Sequence, residues 1–222
     1  MFYDTESRAH GLRHDPFKAL VVPRPIGWVA TVGADGVANI APYSFFNGVS
    51  DRPPMVMFSV SGRKDTLVNI ERSGECTCSM AVASLRDAMN LTSAAVDAGV
   101  DEFSLAGLAT APSILVGAPR VAASPAALEC RLWRTLALPP DTRRPDDSYT
   151  LVLASVVGVH IDDRFIRDGI VDVAAMAPLA RLGYMDYSML TAETMFTMNR
   201  PRVGDDGCTV TVDPGQWDGV YR

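Results

Sequence analysis

The chain has 222 residues, 48% of them hydrophobic and 21% charged, with a formal net charge of −6 at pH 7. That apolar fraction supports one large domain, or one domain with appendages, and argues against bulk disorder. There is no basic stripe of the kind a nucleic-acid binder uses, and no apolar run approaches the roughly 18 residues needed to cross a bilayer, so neither nucleic acid nor membrane is expected as a partner.

The opening segment MFYDTESRAHGLRHDPF is polar and lacks the apolar centre of a secretory signal. A cytoplasmic setting with reduced thiols is therefore the expectation for Cys76, Cys78, Cys130 and Cys208. Residues 18–60 read as β structure. IGWVATV is a β-branched run, GADG a hairpin signal, VANIAPYSFFNGVS a strand that turns irregular around Pro42, and PPMVMFSV a third strand. DTLVNIERSG follows as a short helix, with Asp65 as its N-cap and Gly74 as its stop. ECTCSMAV is another strand, which puts the Cys76 and Cys78 sulfurs on one face. That spacing is not CxxC, and only His10, His14 and His160 are available, so buried structural cysteines are preferred over a zinc site.

SLRDAMNLTSA has helical spacing, and residues 93–120 form a long excursion with a short helix. AALECRLWRTLAL and YTLVLASVVGVHID are strands flanking a Pro-rich hairpin loop, PPDTRRPDD. DGIVDVAAMAPLARLGYMDYSML reads as irregular chain with a small helical piece. Residues 1–198 are taken as the domain and 199–222 as a C-terminal tail. Six or seven strands with few helices between them do not make a doubly wound sheet. A closed antiparallel barrel with helical insertions is expected.

No GxGxxG follows a strand, and Walker A, GxSxG and HExxH patterns are absent. Two stretches carry possible chemistry. In SGRKDTLVNI the chain leaves a strand through Gly62 and opens a helix with Arg63, Lys64, Asp65 and Thr66. Unpaired N–H groups, the positive end of the helix dipole, a cation and a hydroxyl would together cradle a phosphate. The same residues also read as solvated charges beside an ordinary Asp-Thr cap. In NIAPYSFFNGVS, Pro42 interrupts the strand next to Tyr43, Ser44, Phe45, Phe46 and Asn47. That segment suits a flat heteroaromatic ligand, or is a bulge with Phe45 or Phe46 in the core. Trp28 reads as core or pocket wall, and His160 as a hydrogen-bonded core residue or a proton donor.

The run VVPRPIGWVATVGADGVANIAPYSFFNGVSDRPPMVMFSVSGRKDTLVNIERSGE resembles the flavin reductase-like FMN-binding split-barrel family. Later segments (MNLTSA, DEFSLAGL, ALECRL, VVGVHID and PLARLGYMDYS) resemble family blocks in the same order, over roughly residues 15–190. The resemblance implies a mainly β (α+β) fold: a six-stranded antiparallel split β-barrel with Greek-key character and short inserted helices. It implies bound FMN, NADH or NADPH as co-substrate, and a homodimer with FMN near the interface. The acceptor would be oxygen, free flavin or a small organic molecule, and a partner oxygenase is a further implication. An FMN-binding electron carrier without nicotinamide turnover is the alternative.

By the same resemblance Arg63, Lys64, Asp65 and Thr66 match the phosphate turn, and Ser44, Phe45, Phe46 and Asn47 the segment along the flavin. Arg24, Pro25, Ile26 and Thr31 match the first strand's share of the pocket, with Ser59 in the FSV segment. Arg181, Tyr184 and Tyr187 lie in a block that approaches the flavin, where Tyr184 replaces the second glycine of the usual RLGG.

Overall fold

The computed structural model describes every residue except 142, 144–147, 213, 214, 216, 218 and 220–222. One turn of helix, α1 (Phe17–Leu20), precedes β1 (Arg24–Pro25) and β2 (Gly27–Val32). The GADG turn then returns the chain as β3 (Ala38–Tyr43), paired antiparallel from Gly27↔Tyr43 to Val32↔Ala38. β4 (Phe46–Asp51) and β5 (Pro54–Ser61) follow, then α2 (Asp65–Ser73) and β6 (Glu75–Met80). Helix α3 (Arg86–Leu91) precedes the excursion, which holds α4 (Glu102–Leu105) and ends with the paired β7 (Thr110–Ala111) and β8 (Arg120–Val121). Beyond it run the long strands β9 (Ala126–Ala137) and β10 (Tyr149–Ile161), in antiparallel register as the expected hairpin. Much of the expected 139–147 loop lies outside the described residues. β11 (Ile166–Arg167), β12 (Ile170–Val171), α5 (Val173–Met176), β13 (Leu179–Arg181) and β14 (Tyr187–Met189) complete a unit spanning Met1–Leu190. A second unit, Thr191–Arg222, contains the pair β15 (Arg202–Val203) and β16 (Val210–Thr211).

The main sheet has seven strands in the order β3-β2-β6-β9-β10-β5-β4. If it were flat, its edges would stand about 29 Å apart at a ~4.8 Å strand spacing. Yet the edge strands β3 and β4 are joined by Ser44 and Phe45 alone, a link that spans at most about 10 Å. The sheet must therefore curl until its edges meet. The Ser59 N–H donates to the Phe45 carbonyl at 3.0 Å, which carries the β4–β5 ladder up to that link. This is a split barrel, with one strand more than the six expected.

Two apolar clusters follow from strands buried on both faces. Val29, Phe58, Val60, Leu67, Ile70 and Val152 pack in one, and Trp28, Ala30, Ile40, Met89 and Phe103 in the other. Trp28 is a core residue: it is fully buried and donates from Nε1 to Thr92 Oγ1 at 2.9 Å. Helix α2 inserts Leu67 and Ile70 into the first cluster and stops at Gly74, which takes the left-handed φ of 73°. Its start corrects the sequence reading. Lys64, extended at φ −81° and ψ 160°, is the N-cap, and Asp65 is already the first helical residue. Among the described residues no helix is long and apolar enough to cross a membrane.

Candidate functional site

Because the barrel is closed by the two residues Ser44 and Phe45, the ladder is interrupted there, and a cavity of about 570 Å³ opens beside them. Arg24 lines it from β1, Ile26 from the link between β1 and β2, Ser59 from β5, and Lys64 ahead of α2. The strand pair β13–β14 adds Arg181 and Tyr187, with Tyr184 in the turn between them. Nine of the sixteen expected site residues thus share one cavity. An adjoining cavity of about 310 Å³ shares Pro42, Tyr43, Lys64 and Ser93 with it, and adds Arg63, Asp65 and Thr66.

The other four lie elsewhere. Pro25 and Phe46 line a separate apolar cavity of about 200 Å³. Asn47 is exposed on β4, where its Oδ1 accepts from the Gly48 N–H at 2.9 Å. Thr31 is fully buried.

Thr31 and Thr66 serve the placement of α2. Both hydroxyls donate to Asn39 Oδ1, at 3.2 and 2.8 Å, and Asn69 Nδ2 donates to Thr31 Oγ1 at 3.0 Å. Asn39 Nδ2 in turn donates to Glu102 Oε1 at 3.0 Å, while Glu102 Oε2 accepts the Ile40 N–H at 3.1 Å. Burial pushes the Glu102 carboxyl above its ordinary pKa. This network fixes the helix start against β2 and β3. The backbone N–H groups of Asp65 and Thr66, with no preceding turn to accept them, are thereby held beside the shared wall at Lys64. The side chain of Arg63 is engaged with Glu71 at 2.9 Å. Asn39 was not anticipated, although a polar residue inside the apolar strand VANIAPY was the available signal.

The larger cavity is lined by four cations, Lys18, Arg24, Lys64 and Arg181, against the single carboxylate of Asp15. Among the described residues none of the four cations has a carboxylate partner. Arg24 is only 6% exposed, and its Nη1 and Nη2 donate to the carbonyls of Lys18, Val21 and Leu182. Its Nε is buried without a partner. Arg24 and Arg181 are direct cross-strand neighbours. Burial and, after it, the Arg181 charge hold the Arg24 pKa below its ordinary value. Like charges placed opposite each other are unfavourable, so an anion here would relieve both.

The walls are aromatic. Lys18 Nζ lies 5.9 Å and Arg24 5.8 Å from the Phe45 ring centre, and Tyr149 meets Phe45 edge-on at 6.1 Å. Arg181 stands 4.4 Å from the Tyr187 ring centre. Tyr43 is buried with its hydroxyl unpartnered, and burial pushes its pKa up to about 12. The phenol therefore stays protonated, able to donate, at neutral pH. Lys18 and Tyr149 were not anticipated, and Tyr43 was named in the Pro42 segment but not matched to the flavin pocket. Lys18 opens the stretch read as β structure, but it lies on helix α1, and nothing local marks it as a site residue.

The turn LGY is constrained twice. A Cβ on Gly183 would lie 2.6 Å from the Ala19 Cβ, so glycine is needed for the close approach to α1. Tyr184 takes φ 52°, a left-handed conformation that side chains disfavour. Its half-exposed ring tilts against His14 at 5.8 Å. Tyr184→Gly is expected to stabilise the fold by about 1 kcal/mol through relief of that φ, while removing an aromatic wall of the cavity. A melting temperature unchanged or lowered would contradict this. His160, considered above as a proton donor, is bonded to Glu129 and does not line the cavity.

Comparison with known proteins converges on one family. The family model described as "Flavin reductase like domain" matches residues 19–179. An uncharacterized protein of Deinococcus radiodurans is 36% identical over 193 residues, covering 82% of each chain. The crystal structure of nitrilotriacetate monooxygenase component B from Bacillus cereus superposes with a TM-score of 0.78 at 28% identity, over 88% of this chain and 98% of that one. That of the 2-nitrobenzoate 2-nitroreductase NbaA from Pseudomonas fluorescens gives 0.77 at 24% identity, over 92% and 100%, a likeness of fold.

Proposed function

The chain belongs to the flavin reductase-like family of FMN-binding split-barrel flavoproteins, and from that premise we propose that it is an NAD(P)H-dependent oxidoreductase working through FMN at the seam of the barrel. One observation carries the reading: an aromatic cavity with four cations lacking carboxylate partners adjoins the start of a helix held rigidly by Asn39.

The donor set fits FMN. Lys64 and the opening N–H groups of α2 would hold the phosphate, since a helix N-terminus favours an anion. Ser44, Phe45 and Ser59 would lie along the flavin, with Arg24, Arg181 and Tyr187 at its far side. When bound, FMN supplies the hydride acceptance and delivery. Phe45, Tyr149 and Tyr187 exclude water and orient a flat ring, and the Tyr43 hydroxyl offers a proton-bearing donor. Tyr184 and Met185, exposed at the cavity rim, limit what stacks above.

Isothermal calorimetry tests the site. FMN is expected to bind at least tenfold more tightly than riboflavin, and equal affinities would overturn the phosphate assignment. NADH or NADPH is proposed as the hydride source, and oxygen, free flavin or a small organic molecule as the acceptor. A partner oxygenase is supported by the likeness to a monooxygenase component B. The exposed row Tyr184, Met185, Tyr187 and Met189 beside the mouth supports a homodimer in which a second copy covers the cavity.

A further inference from the structure

Three of the four cysteines converge where the flavin reading has no use for them. Cys76 on β6 faces Cys130 on β9 in register, and Cys78 lies two residues on, so alternation brings all three to the same side. Each is buried, and their sulfurs all lie within 4.8 Å of one another. Sulfurs bound at about 2.3 Å around a three-coordinate centre stand about 3.5 Å apart if it is pyramidal and about 4 Å if planar, so side-chain rotations of about an ångström bring the trio into register with one ion. The surroundings are apolar: Val29, Phe58, Val60, Leu67, Ile70 and Val152 belong to the same cluster. The apolar cavity of about 200 Å³ reaches Cys78, past Phe46 and Leu128, and gives small neutral solutes a way in.

Charge decides which ion fits. Burying an uncompensated charge in such surroundings is costly. Three thiolates around a divalent ion leave −1, and zinc also calls for a fourth ligand, which the cluster does not contain among the described residues. Around a monovalent soft ion they leave −2. Around a trivalent one the complex is neutral. We propose that Cys76, Cys78 and Cys130 form a trithiol site that captures trivalent arsenic, entering as neutral arsenous acid. Three As–O bonds break and three As–S bonds form. Each thiol proton leaves with one hydroxide as water, and arsenic stays at +3 with no electron transferred. The bound ion ties β6 to β9 within the barrel wall.

Sodium arsenite titrated into the reduced full-length protein, followed by native mass spectrometry, is expected to show one arsenic per chain, with the loss of three hydrogens. The melting temperature rises, as for any ligand that binds only the folded state. Cys76→Ala, Cys78→Ala and Cys130→Ala each weaken binding at least about 100-fold, the usual gain from a further chelating contact being of this order, whereas Cys208→Ala, at the exposed thiol, leaves it unchanged. X-ray absorption on the unsubstituted protein, which needs no variant to fold, should give three sulfur neighbours. Two sulfurs, binding that requires Cys208, no binding by folded protein, or zinc that competes on equal terms would each overturn the proposal.

Discussion

Lys64→Ala is expected to weaken FMN binding by about 1.5–3 kcal/mol, the range for hydrogen bonds to a charged group, or roughly 10- to 150-fold in Kd. The reason is positional. Lys64 lines both cavities and precedes the helix whose first N–H groups have no intrahelical acceptor. Arg63, next to it, is already paired with Glu71, so Arg63→Ala is expected to change affinity much less. Riboflavin supplies the control: without a phosphate, its affinity should be nearly the same for parent and Lys64→Ala. Calorimetry with both ligands forms a cycle. A Lys64→Ala protein that binds FMN as the parent does would return this lysine to the role of a solvated loop charge.

The second large effect concerns stability. Glu129, 1% exposed, accepts the N–H groups of Ile114 and Leu115 and contacts His160 Nε2. Removing it leaves two backbone donors and an imidazole without their partner, and Glu129→Ala is expected to cost about 3–5 kcal/mol, as when one member of a buried pair is lost. Burial acts to raise the Glu129 pKa, but the Ile114 N–H, the His160 imidazole and the Leu115 N–H outweigh it, and the carboxyl titrates below its ordinary 4.5. A depressed folded-state pKa means that the contribution is complete above the unfolded value. It is lost as pH falls through the lower folded one. Urea denaturation across pH 3–7 therefore should show a parent that loses stability on acidification more steeply than Glu129→Ala. A cost under about 1 kcal/mol, or parallel pH profiles, would contradict this assignment.

Much of the site was legible because it sits where local chemistry breaks a pattern. β3 stays paired through Pro42 to Tyr43, so the break expected at Pro42 comes just after Tyr43, and Gly62 follows the end of β5; the residues at these two breaks, Ser44, Phe45 and Lys64, are those at the cavity. Thr31 and Thr66 were legible as polar residues but not in direction, since cap and strand rules do not show that both hydroxyls turn inward to Asn39. The Glu129–His160 contact was beyond reach for a different reason. It crosses β9 and β10, whose register shifts at Leu153/Ala154 and again at Val156/Gly158, so counting along either strand misplaces the partner. The seventh strand has the same character. β4 counts as a separate strand only because Ser44 and Phe45 carry the chain from one edge of the sheet to the other. The cysteine trio likewise depends on pairing Cys76 with a residue 54 positions away.

The oxidoreductase reading is tested most directly by anaerobic titration of the FMN-loaded protein with NADH and, separately, NADPH, while following the flavin absorbance. Stoichiometric bleaching by at least one nicotinamide, reversed on admitting oxygen, is the expected result. A flavin that stays oxidised with both nicotinamides, yet is bleached by dithionite, would contradict it and leave an FMN-bound electron carrier.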